Sequence, residues 1–230
     1  MKTLGLLGGM SAESTQIYYR LLNEEVRRRL GGLHSAECLI ASVDFAPIAR
    51  LQSENRWDEA GALLAERARR LQDAGAEVLL LCTNTMHKVA DTITSAVSIP
   101  FLHIADPTGA AIRAQGLTRV ALLATRFTME EAFYRERLQT QFGLEILVPE
   151  RDDRDEVHRI IYEELCQGRI EASSRDTYLR IIDRLTAQGA QAVILGCTEI
   201  GLLLKPENLT LPLFDTCALH AHAAVDFALA

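Results

Sequence analysis

The sequence predicts an α/β fold of two domains related by a pseudo-twofold axis, each a four-stranded parallel sheet flanked by helices. Two observations predict it: short apolar runs alternate with longer amphipathic stretches along the whole chain, and one strand-and-turn segment occurs twice. Strands separated by helices imply parallel pairing with right-handed crossovers. The 230 residues, 48% hydrophobic and 24% charged, have average globular composition and suffice for one large or two small α/β domains.

Taken in order, Lys2–Leu7 reads as a strand and Ser14–Leu30 as a helix, because Tyr18, Leu22, Val26 and Leu30 recur every four residues. Further strands fall near Glu37–Val43, Glu77–Leu81, Ile99–His103, Arg119–Leu123, Leu144–Val148, Gln191–Leu195 and Leu211–Phe214. Helices are expected near Asp58–Asp73, Asn84–Ser95, Pro107–Ala114, Thr128–Gln141, Asp153–Gln167 and Ser173–Gln188, with capping-box spacing in Thr128-Met129-Glu130-Glu131.

The duplication appears when Ala74–Thr83 is set against Gln188–Cys197: Gly75 precedes Thr83 by 8 residues and Gly189 precedes Cys197 by 8, so Thr83 pairs with Cys197. Leu6-Leu7-Gly8 likewise matches Leu122-Leu123-Ala124, and Ile99–His103 matches Leu211–Asp215. A repeat of about a hundred residues is a duplicated domain, since solenoid units run to about 20–50 residues. The expected division is 1–114 and 115–216, with the seam at Gln115–Thr118 and a C-terminal helix over 217–230 packing back on the first domain. Open α/β sheets place ligands at the carboxyl ends of their strands, which puts the expected active site in the cleft between the two domains.

Charge and cysteine usage narrow the function. Lys plus Arg number 24 against 31 for Asp plus Glu, and the net charge of −7 has the wrong sign for a nucleic-acid binder or an anionic-membrane binder. The five cysteines, Cys38, Cys82, Cys166, Cys197 and Cys217, form no CxxC pair, so neither a disulfide framework nor a zinc site is suggested and a reducing cytoplasm is expected. The apolar start Leu4–Met10 is too short for a signal sequence, and no run approaches a membrane span.

Cys197, in Gly196-Cys197-Thr198-Glu199, is expected at a helix N-terminus, where backbone N–H groups lower a thiol's pKa. A small buried cysteine in a tight turn fits the same residue; its register opposite Thr83 favours a functional role. Thr83, Asn84 and Thr85 offer hydroxyl and amide groups to a small polar ligand, and an N-cap role is compatible with that. Gly8-Gly9-Met10-Ser11 follows the first strand without full GxGxxG spacing, so exposed backbone there suits a carboxylate as readily as a phosphate. Arg50 and Gln52 add a cation and an amide, although a solvated helix face accounts equally for the arginine. His87 and His103 are candidates for supporting these groups, and Cys38, Cys166 and Cys217 read as structural.

Along essentially its whole length the chain resembles the aspartate/glutamate racemase family. The resemblance is carried by Gly5–Ser11 with Glu13-Ser14-Thr15 and Tyr19, by Asn84-Thr85-Met86-His87, and by Leu195–Ile200. Within the family, Leu81–Asp91 and Phe101–Asp106 are most similar to broad-specificity amino-acid racemases. The resemblance implies racemisation of a small amino acid without pyridoxal phosphate, metal or other cofactor, by two thiols on opposite faces of Cα, in a cytoplasmic homodimer. It implies substrate contacts from Met10, Ser11, Arg50, Gln52, Asn84, Thr85, Gln167, Thr198 and Glu199. Two departures stand out. The family's first catalytic cysteine precedes Asn-Thr, where this chain has Thr83, and side-chain alternation turns the neighbouring Cys82 to the other face. Gln167 stands where some members carry a lysine that meets the substrate carboxylate. The expected activity is proton abstraction from L-substrates by Cys197. Alternatives are a cysteine-dependent isomerase or decarboxylase of small dicarboxylic acids, and an amino-acid-binding protein that has lost turnover.

Overall fold

Two four-stranded parallel sheets carry the chain. The computed structural model describes residues 1–230 apart from the side chain of Asn208. The first sheet is built from β1 (Leu4–Gly8), β2 (Cys38–Ser42), β3 (Val78–Leu81) and β4 (Phe101–Leu102), in the order β2-β1-β3-β4. The second uses β5 (Arg119–Ala124), β6 (Glu145–Leu147), β7 (Val193–Gly196) and β8 (Leu213–Asp215), in the order β6-β5-β7-β8. The central strands are apolar runs without alternation, as parallel strands covered on both faces require. Every residue of β1 and of β3 is buried, as is every residue of β7.

The helices between them are α1 (Ala12–Leu30), α2 (Phe45–Ser53), α3 (Trp57–Asp73), α4 (Ala90–Thr94), α5 (Ala105–Ala114), α6 (Arg126–Glu130) and α7 (Ala132–Phe142). They continue with α8 (Arg151–Glu163), α9 (Ala172–Ala187), α10 (Ile200–Leu203) and α11 (Thr216–Leu229). The four-residue period of α1 buries Tyr18, Leu22 and Val26, whereas Leu30, the last of that series, is exposed at the helix end. Ser11 caps α1 by accepting from Ser14 N at 3.2 Å.

Several expected elements take a different form. Residues 85–95 hold a 3₁₀ turn, Thr85–Val89, ahead of the short α4. The expected helix over 128–141 is two helices: Thr125, immediately after β5, caps α6 by accepting from Thr128 N, and Glu131, with φ −85° and ψ 155°, opens α7. Thr128 therefore lies inside α6 and caps nothing as an N-cap residue. The expected helix over 153–167 stops at Glu163 and continues as a 3₁₀ turn, Leu165–Gln167. α2 lies in a stretch with no expected helix; Asp44 caps it, and Pro47 falls in its first turn, where a missing N–H costs nothing.

The chain forms two compact units, Met1–Ile104 with His220–Ala230, and Ala105–Leu219. The seam is therefore at Ile104/Ala105 and not at Gln115–Thr118, because α5 packs within the second unit. A Cβ on Gly109 of α5 would collide with the Phe142 ring of α7, and Arg137 pairs with Asp106 at 2.6 Å. In the first unit Lys2 N donates to Ala228 O at 2.9 Å, and His220 bridges Tyr18 Oη at 2.7 Å and Leu102 O at 2.8 Å.

Candidate active site

Each unit presents candidate residues where its two central strands end. In the first unit, β1 runs into Gly9, whose φ is +90° and whose Cβ, were there one, would strike the Val43 backbone; only glycine fits. Gly9 N donates to Thr15 Oγ1 at 2.8 Å, Thr15 Oγ1 to Ser11 O at 3.0 Å, and Ser14 Oγ to Cys82 O at 2.8 Å. These bonds hold the Met10-Ser11 turn against the end of β3. Met10, Ser11, Thr83, Asn84 and Thr85 are all buried there.

Thr83 lies two residues beyond Leu81, the last residue of β3, and its carbonyl accepts a 2.8 Å hydrogen bond from His87 Nδ1. The other ring nitrogen, Nε2, accepts from Ile104 N at 3.2 Å, so His87 is the Nδ1–H tautomer and fixes the Thr83 main chain. His103 packs edge-on to His87 with 4.4 Å between ring centroids. Cys82 is fully buried, and burial raises its thiol pKa far above the ordinary range. α2 separates two candidates: Gln52 is buried and donates to Met86 Sδ at 3.0 Å, while Arg50, two residues earlier, is on the exposed face.

In the second unit, β7 ends at Gly196, where a Cβ would lie 2.7 Å from Leu122 Cδ1 and 2.9 Å from Ala124 Cβ of β5. This close strand approach delivers Cys197, Thr198 and Glu199 into one buried turn. The Glu199 carboxylate accepts from Cys197 Sγ at 3.1 Å, from Thr198 Oγ1 at 2.5 Å and from Cys166 Sγ at 3.5 Å. Burial, then the Glu199 charge and Cys166, push the Cys197 thiol well above its ordinary range. The expectation of a thiol lowered by a helix N-terminus is thus corrected: α10 starts three residues later and has four residues, and Cys197 faces a carboxylate.

Cys166, read from the sequence as structural, is one of the groups around that carboxylate. Its pairing with Glu199 spans 33 residues, and no local spacing signals it. Gln167 is exposed and donates to Tyr162 O at 3.3 Å, outside the Glu199 cluster. Behind Cys166, Glu164 is held by Ser174 Oγ at 2.5 Å and Arg159 at 3.0 Å. Among the described residues no group of three His, Cys, Asp or Glu side chains forms a metal site, and no helix is long and apolar enough to cross a membrane.

A family model described as Asp/Glu/hydantoin racemase matches residues 7–224. The chain belongs to that family. It is 53% identical to a candidate Asp/Glu racemase from Yersinia pestis of known crystal structure, with all of both chains covered and a TM-score of 0.92. An aspartate racemase homologue from Pyrococcus horikoshii is 32% identical over the whole of both chains, with a TM-score of 0.85. The broad specificity amino-acid racemase RacX of Bacillus subtilis is 22% identical over 235 residues, covering 99% of this chain and 98% of RacX. Both sheets therefore have the racemase-family architecture.

Proposed function

We propose that this family member is an amino-acid racemase that needs no cofactor, with Cys197 as the base toward L-substrates and Thr83 serving the opposite face of Cα. The observation that carries the reading is the buried Cys197–Glu199 pair, at the position in the second unit that corresponds to Thr83 in the first. Glu199 takes the proton from Cys197 Sγ across 3.1 Å, and the thiolate so formed abstracts the α-proton. The Cα–H electron pair moves into the substrate carboxylate and an S–H bond forms. A substrate ammonium beside the turn offsets the added negative charge that otherwise keeps the thiol protonated. The hydroxyl of Thr83 hands a proton to the other face of the carbanion and recovers one from water, and the hydroxide left behind takes the proton held by Glu199, so that Cys197 is again a thiol and Glu199 a carboxylate. Met10, Ser11, Asn84, Thr85, Thr198 and Glu199 are the substrate contacts of this reading, with Arg50 and Gln52 acting on the substrate carboxylate; Gln167, exposed and bonded to Tyr162 O, takes no part in it.

A threonine hydroxyl donates a proton to a carbanion but is a far weaker base than a thiolate, so the two enantiomers exchange their α-protons at different rates. The test incubates each enantiomer of Asp, Glu and a neutral amino acid in deuterated buffer and follows Cα–H loss by NMR beside optical rotation. L-substrates lose Cα–H about a hundredfold faster than D-substrates in the wild type, and Thr83→Cys narrows the gap. Equal wild-type exchange overturns the asymmetry. Exchange absent for every amino acid, with carbon dioxide released from small dicarboxylic acids, establishes the decarboxylase reading instead.

A further inference from the structure

Four arginines converge on a cavity of about 570 Å³ in the second unit that shares no lining residue with the Cys197 turn. Arg126, Arg135, Arg151 and Arg154 line it together with only two carboxylates, Glu130 and Asp155. Those carboxylates leave part of the charge unmatched. Arg154 Nε bonds Glu130 at 3.0 Å, and Arg126 comes no nearer to Asp155 than 3.9 Å. Arg135 donates to the Glu130 carbonyl at 2.8 Å, and its Nε is buried with no acceptor. Arg151 is exposed and has no ion-pair partner among the described residues. A concentration of cations in a chain of net charge −7 runs against the average field of the molecule.

The cavity also opens at the start of α8, where Arg151 and Arg154 occupy the first and fourth helical positions. The partial positive charge of a helix N-terminus disfavours cations there. Asp152 and Asp153 in the same turn satisfy that preference, and the two arginines oppose it. An anion in the cavity resolves both conflicts, accepting from the guanidinium groups that line it and screening the arginines from the helix end. Guanidinium forks match phosphate and carboxylate oxygens alike. We propose that this cavity is a binding site for a small polyanion, a molecule carrying two or more phosphate or carboxylate groups, separate from the amino-acid substrate.

Isothermal titration of the full chain with pyrophosphate, citrate and acetate tests this. At low salt, pyrophosphate or citrate binds with a Kd below about 1 mM, acetate does not, and added salt weakens the binding. Whichever of the two binds more tightly identifies the phosphate or the carboxylate source. Arg151→Ala, a change at an exposed side chain, and Arg135→Gln each weaken binding about tenfold or more. Arg135→Lys, which keeps the charge and loses the fork, falls between Arg135→Gln and the wild type. Arg50→Ala, in the other unit, leaves the affinity unchanged. No binding of either polyanion, or a loss confined to Arg50→Ala, overturns the assignment.

Discussion

The two units build the same strand ends and equip them differently. Leu7 pairs with Leu81 between β1 and β3, and Leu123 pairs with Leu195 between β5 and β7. Two residues beyond Leu81 and Leu195 stand Thr83 and Cys197, so the register seen in the sequence is also the register of the ladders. What surrounds the two residues differs. Behind Thr83 a histidine in a fixed tautomer grips the main chain, and behind Cys197 a carboxylate grips the side chain itself. A main-chain brace positions a group without altering its acidity, whereas a carboxylate 3.1 Å from a thiol changes when that thiol ionises. Duplication preserved the scaffold and left proton chemistry to the side chains.

The sharpest way to break this comparison is to remove one side. Cys197→Ala lowers turnover by about a thousandfold or more, because no other residue in the turn is a thiol base. More than a few per cent of residual activity, with the other four cysteines intact, would move the chemistry elsewhere. Glu199→Gln comes next, with a loss of about a hundredfold, the scale expected for a proton-transfer partner. It also has a sign that a purely structural role lacks. The Glu199 charge raises the thiol pKa, so its removal lowers that pKa while burial still holds it above the ordinary value of 9.0. Iodoacetamide alkylation of Cys197, followed against pH with the other cysteines replaced, reads this directly. The midpoint moves to lower pH in Glu199→Gln, and an unmoved midpoint refutes the pairing.

Much of this architecture was legible in the sequence because parallel strands are continuous apolar runs. All eight strands lie within two residues of their expected bounds or inside them, from Cys38–Ser42 to Leu213–Asp215. Helix interiors were less legible. The sequence over 128–141 has helical composition throughout, and the break at Glu131 is one extended residue that no periodicity marks. The Cys197 turn shows a deeper limit. Its position follows from a repeat within one sequence, but its protonation depends on a carboxylate and on Cys166, brought together by packing across 33 residues. The same holds for the Arg135 Nε, whose burial without an acceptor is a property of three-dimensional neighbours.

The glycines at the two strand ends sharpen the comparison through stability. Gly9 requires its positive φ, and an added Cβ meets fixed backbone at Val43. Gly196 has no such strain, and its Cβ would meet Leu122 Cδ1 and Ala124 Cβ, with the Leu123 carbonyl oxygen at 3.3 Å. Gly9→Ala therefore costs about 3 kcal/mol or more, combining left-handed strain with a collision that no rotamer relieves. Gly196→Ala costs about 1–3 kcal/mol, since its φ adds no strain and Leu122 can turn aside, although the Ala124 Cβ is fixed to β5 and can yield only by a small shift of the strand. Urea midpoints of the two variants rank them, and a larger loss for Gly196→Ala would show that the strand approach in the second unit is the more rigid.

The smallest expected effect contrasts two helix-borne ion pairs. Glu25 of α1 is nearly buried and accepts from Arg28 and Arg29 at 2.7 Å, with His222 Nε2 at 4.0 Å. The Arg28 hydrogen bonds foremost, against the opposing effect of burial and with help from Arg29, hold its pKa at about 2. Glu156 of α8 pairs with Arg159 at 2.8 Å, and both side chains are about 40% exposed. Its pKa is lowered too, first by the Arg159 hydrogen bond. A carboxyl whose folded pKa is depressed binds fewer protons folded than unfolded, so its contribution is complete above the ordinary value of 4.5. It fades as pH falls toward the folded value near 2. Arg28 is 68% exposed, and solvent screening keeps even the Glu25 contribution to about 1 kcal/mol. Glu25→Gln should accordingly flatten the loss of stability between about pH 4.5 and pH 2, and Glu156→Gln should flatten it less. Chemical denaturation at a series of pH values measures both slopes. A steeper effect from Glu156→Gln would mean that exposure, which separates these two pairs most clearly, does not set their worth.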